Sequence, residues 1–63
     1  MANPIMRYFA TDHLAEELQQ AAGPIRAAAE QLDREIPDGP EKSAGLRKLL
    51  EAKDCMVRAK LDA

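Results

Sequence analysis

Apolar side chains recur every three or four residues along this chain, and no stretch alternates in the two-residue manner of a strand. From Leu14 they run through Leu18, Ala21/Ala22, Ile25, Ala28/Ala29, Leu32 and Ile36. That spacing predicts a helix with a narrow seam for another helix. Thr11 or Asp12 would cap it, with Glu16 and Glu17 in its opening turns. Gly23-Pro24 interrupts the run, but the apolar phase survives it, which predicts a kink rather than an end. The helix is expected over residues 12–36 and stops before Pro37.

Residues 37–39 form a tight turn, and a second helix is predicted over 40–61. Pro40 suits the first helical position, Glu41 complements the positive end of the dipole, and Lys53, Arg58 and Lys60 complement the far end. Stepping about 100° per residue from Leu46 puts Leu49, Leu50, Met56, Val57 and Leu61 on one stripe. Lys42, Lys53 and Lys60 fall inside the same stripe. A core-facing stripe seldom carries lysine, because burying an unpaired ammonium is costly. Either these side chains snorkel or pair with carboxylates of the first helix, or they line a pocket for an anion at a subunit boundary.

The expected fold is therefore all-α: one antiparallel two-helix hairpin with a short N-terminal arm, residues 1–11. The arm holds both aromatic residues, Tyr8 and Phe9, beside Arg7. Phe9 needs shelter and is expected to fold back onto the hairpin core or a neighbour's core. Tyr8 has a flat face that suits stacking on a base, and Arg7 can meet a phosphate in bidentate fashion.

Length changes this picture. A chain of 63 residues forms one domain at most and is marginal alone. With a single cysteine, Cys55, no disulfide can close within it. One His and one Cys give no metal-ligand spacing. Homo-oligomerisation into a helical bundle is the remaining route to stability. The net charge of −2 argues against binding a nucleic acid polymer, although a small phosphate ligand needs only two or three placed cations. There is no signal-peptide pattern and no membrane-length apolar run, so a cytoplasmic protein that uses no membrane is expected.

Gly39-Pro-Glu-Lys-Ser43 lacks the second glycine and preceding strand of a phosphate loop. Lys42, Ser43 and the free N–H groups of the helix start still offer a possible anion site. His13 has no partner by spacing and is carried only as a residue that would orient a ligand. No catalytic pairing, metal site or cofactor is expected, and an enzyme is not.

The run Pro37–Lys53 resembles the signature of the small phage helical-hairpin proteins that act as anti-CBASS and anti-Thoeris cyclic-nucleotide sponges. Glu41, Lys42, Ser43, Leu46, Lys48, Leu49, Glu51 and Ala52 carry the likeness, together with the aromatic arm Arg7-Tyr8-Phe9. The chain has Asp54-Cys55 where many members carry Met-Trp. The resemblance implies a non-catalytic homo-oligomer, commonly a hexamer. It would bind cyclic di- or trinucleotide immune signals between protomers and serve a phage in immune evasion. Tyr8 would stack on the base, and Arg7, Lys42, Arg47 and Lys53 are the candidates for phosphate. The alternative is a small helical protein–protein interaction module with no nucleotide ligand, using the Leu46–Leu61 stripe. A DNA-binding regulator fits poorly, since Arg47, Lys48 and Arg58 alternate with Glu51, Asp54 and Asp62.

Overall fold

The computed structural model describes residues 3–62, so the first two residues of the arm and Ala63 lie outside it. A 3₁₀ segment, Pro4–Phe9, precedes helix α1, Glu16–Glu35, and helix α2, Pro40–Asp62. Among the described residues there is no strand. The molecule measures 36 × 18 × 15 Å. Helix α2 rises about 35 Å at 1.5 Å per residue, so it spans the whole length.

Local chemistry explains the second helix well. Pro40 opens α2 as expected, and the Gly39 carbonyl accepts the first helical bond from Ser43 N–H at 3.0 Å. Gly45 is exposed, and a methyl group added there would meet nothing within 4 Å. Gly45→Ala should therefore stabilise the chain by about 1 kcal/mol, seen as a higher midpoint in a thermal melt.

The start of α1 differs from the sequence expectation. Thr11 and Asp12 do not cap it. The helix begins at Glu16, with Ala15 as a cap residue that makes no side-chain bond. The reason is tertiary. Thr11 is buried, and its hydroxyl accepts from Arg26 Nη1 at 3.0 Å. The same nitrogen lies 3.7 Å from Asp12, while Arg26 Nε bonds Glu30 at 3.1 Å. Arg26 thus draws both would-be caps onto the flank of α1, and residues 11–15 turn to follow. Gln19 Nε2 steadies that turn by donating to the Leu14 carbonyl at 2.9 Å. Helix α1 then runs unbroken through Pro24, so no fresh helix starts there.

The arm is more ordered than a free strap. Asn3 Oδ1 caps the 3₁₀ segment by accepting from Ile5 N–H at 3.1 Å. Three residues per turn give it three faces, with i and i+3 eclipsed. Phe9 is buried, Ile5 and Met6 pack beside it, and Pro4, Arg7 and Tyr8 are exposed. Phe9, 1% exposed, is the only large side chain fully buried among the described residues. It sits with Ala29 of α1 and Leu46 of α2, and Ile5, Met6, Ile25, Leu49 and Leu50 pack around them. The arm therefore folds back on its own hairpin. Alanines at 22 and 29 let it approach, and both are fully buried.

The arm covers one flank of the helix pair and leaves the other open. Leu32, Ile36, Met56 and Leu61, expected on the apolar seams, are all exposed, Ile36 at 44% and Leu61 at 64%. Leu32, Ile36, Leu46 and Leu49 wall an apolar groove of about 410 Å³ on that side. No helix is long and apolar enough to cross a membrane among the described residues.

Candidate functional site

Of the three lysines on the apolar stripe of α2, Lys60 is exposed, and Lys42 and Lys53 have separate jobs. They stand eleven residues apart, about three turns, so they share one line along the helix. Lys42 reaches the carbonyl end of α1, and Lys53 the carbonyl end of the 3₁₀ segment.

Lys42 closes the C-terminus of α1. Its Nζ donates to the main-chain oxygens of Asp33 at 2.9 Å and Ile36 at 2.7 Å, and to Asp38 Oδ1 at 2.9 Å. Two of the three ammonium protons thus go to main-chain oxygens at the end of α1, and the third goes to a carboxylate in the turn. Asp33 Oδ1, 3.1 Å away, gains only the charge contact and has no hydrogen bond of its own. Of the two sequence readings, pairing with a first-helix carboxylate is the one the structure bears out at Lys42. The expected anion site of Lys42, Ser43 and the α2 start is not formed, because the ammonium is turned onto α1.

Charge at this corner makes stability depend on pH. The hydrogen bond from Lys42, then its charge, holds the Asp38 carboxyl below its ordinary 3.8. The same bond, accepted by Asp38, leads in holding Lys42 above its ordinary 10.5, against the opposing effect of burial. Asp38's contribution is complete above pH 3.8 and is lost as pH falls through its folded value. Lys42's contribution is complete below pH 10.5 and is lost as pH rises through its folded value. Subtracting the melting profile of Lys42→Met from that of wild type should give a plateau between those limits, falling at both ends.

Lys53 does the equivalent for the arm. It is buried, 6% exposed, and its Nζ donates to the Tyr8 main-chain oxygen at 2.6 Å. That oxygen lies in the last turn of the 3₁₀ segment, where carbonyls lack partners and the dipole is negative.

With Lys53 and Phe9 holding its inner side, the arm presents Arg7 and Tyr8 outward. Arg7 Nη2 donates to Tyr8 Oη at 2.9 Å, and the guanidinium carbon lies 4.9 Å from the ring centroid. This is a cation–π pair on the surface. A base stacking on Tyr8 must take the other face of the ring or displace Arg7.

Arg7 and Tyr8 form one wall of a cleft of about 520 Å³, and Ser43 and Arg47 of α2 form the other. Among the described residues no carboxylate lines it. Among the described residues, ion pairs within 4.0 Å involve Arg26 and Lys42, and neither Arg7 nor Arg47 takes part in one. Two arginines with no carboxylate partner among the described residues, beside an aromatic ring, suit a phosphate joined to a flat ring.

The sequence-derived residues thus divide. Arg7, Tyr8 and Arg47 come together. His13 is exposed and lines a separate, smaller hollow of about 170 Å³ with Lys53, Asp54 and Arg58. Lys42 borders the apolar groove instead. Arg26, which anchors the end of the arm, was not among the sequence candidates. Its pairing with Glu30 at i+4 was visible, but nothing local marked Thr11 as its second partner.

No three His, Cys, Asp or Glu side chains among the described residues are placed to hold a metal ion. Comparison with family models, curated proteins and solved structures found no match for the chain.

Proposed function

We propose that this protein is a non-catalytic binder of cyclic di- or trinucleotide messengers, sequestering them intact in the manner of a phage immune-evasion sponge. One observation carries the reading. In a chain of net charge −2, the cleft between arm and α2 holds two arginines, one exposed tyrosine face and, among the described residues, no carboxylate. Its volume falls within the range usual for small-ligand sites, roughly 300–1,000 Å³. Arg7 and Arg47 supply phosphate contacts, and Tyr8 supplies the stacking surface.

One such cleft serves about one nucleotide. A cyclic dinucleotide presents two bases and two phosphates, so a second copy of the chain is proposed to complete its enclosure. The exposed apolar residues Leu32, Ile36 and Met56 give copies a surface on which to associate.

Isothermal titration against a panel of cyclic di- and trinucleotides tests the proposal. Saturable heat is expected with at least one, and the bound nucleotide should be recovered unchanged after the protein is denatured. Absence of heat with every member, at protein concentrations well above micromolar, would refute it.

The apolar groove favours a second reading, a helical module that binds another protein. A melting screen separates the two, since a ligand that binds only the native state must raise the melting temperature. Nucleotides that leave it unmoved favour the module.

A further inference from the structure

The cleft depends on an arm that only a few contacts hold. Phe9 anchors the arm by its ring, but a ring in a pocket does not fix the direction of the preceding peptide. The Tyr8 carbonyl does, and Lys53 is its only hydrogen-bond donor among the described residues. Lys53 carries three donors, is nearly enclosed, and has no carboxylate within 4.0 Å among the described residues. A bare ammonium so placed is costly to the fold unless its one bond is strong. An apolar residue on this stripe would serve packing better. The lysine therefore answers a need other than core packing.

We infer that Lys53 is the positioning residue of the cleft: by gripping the Tyr8 main chain from inside, it sets Arg7 and Tyr8 against Arg47 on the outer side. It does not touch the ligand. This rests on reading the cleft as an anion site, and it replaces the phosphate contact expected of Lys53 from the sequence. The sequence candidate Lys53 thus acts through Tyr8. The arm faces the ligand only in the gripped arrangement, so apparent affinity scales with the fraction of chains that hold it.

The chain reports on its own arm. Tyr8 is the single tyrosine and there is no tryptophan, so intrinsic fluorescence comes from this site. Lys53→Met keeps the length and apolar bulk of the stem and removes the donors. Lys53→Arg keeps a cationic donor. The full chain would be compared by Tyr8 anisotropy without ligand, by circular dichroism, and by titration with inorganic pyrophosphate.

Lys53→Met is expected to keep the helix signal, lower the Tyr8 anisotropy, and bind pyrophosphate roughly tenfold more weakly. Lys53→Arg is expected to restore most of both. Unchanged anisotropy in Lys53→Met overturns the inference. So does a fall in anisotropy with affinity intact. So does loss of the helix signal, because Lys53 would then hold the hairpin and not the arm. If wild type binds no pyrophosphate, the anion-site reading fails by itself, and anisotropy still decides whether Lys53 grips the arm.

Discussion

Phe9→Ala is expected to remove most of the cooperative melt. The ring is 1% exposed and joins α1 to α2 through Ala29 and Leu46, neither of which can fill the space it leaves. Truncating a buried phenylalanine costs about 3–5 kcal/mol. A 63-residue domain has roughly 3–9 kcal/mol in all. The midpoint followed by far-ultraviolet circular dichroism should therefore drop by more than ~15 °C, or the transition should vanish. Tyr8→Ala is the matched control. Tyr8 is 52% exposed, so its effect on stability should stay within about 0.5 kcal/mol. Equal melts for the two variants would show that the arm is not part of the core.

The double variant Arg7→Ala/Arg47→Ala should lose nucleotide binding while keeping its melt. A charge-assisted hydrogen bond to phosphate contributes about 1.5–3 kcal/mol, and both arginines are exposed, which favours the lower figure. Together they predict a loss of roughly 10²-fold in affinity at fixed ionic strength. Titration of the best nucleotide from the panel measures it. Lys48→Ala, outside the cleft, is expected to change the affinity less than about twofold. Should the two variants weaken binding equally, diffuse charge and not the cleft would be responsible.

How far the sequence could be read depended on where each partner lay. The turn at 37–39 and the start of α2 at Pro40 were legible because their signals are local: a proline with fixed φ, a glycine, an acidic first turn. The shelter of Phe9 was legible because a lone phenylalanine beside a thin core has few places to go. The start of α1 was not legible because Thr11 and Asp12 have the look of caps, while the residue that claims them, Arg26, is about three turns into the helix. Pro4 discouraged helix at Asn3 but did not announce a 3₁₀ turn. Among the candidate site residues, Arg7 and Tyr8 are neighbours in sequence, and their meeting with Arg47 followed only once the arm docked. Lys42 and Lys53 were conspicuous on an apolar stripe, yet a four-carbon stem reaches several targets. Pattern alone could not say that both ammonium groups end on carbonyl oxygens.

The eleven-residue interval between those lysines makes α2 a measuring rod. Its two marks are read against different objects, the exit of α1 and the exit of the arm. Adding or deleting one residue between them would swing the far mark by about 100° and shift it 1.5 Å along the axis. Outside the cleft residues Ser43 and Arg47, the outward residues of that interval can change in kind, but their number is fixed by the distance the rod has to span.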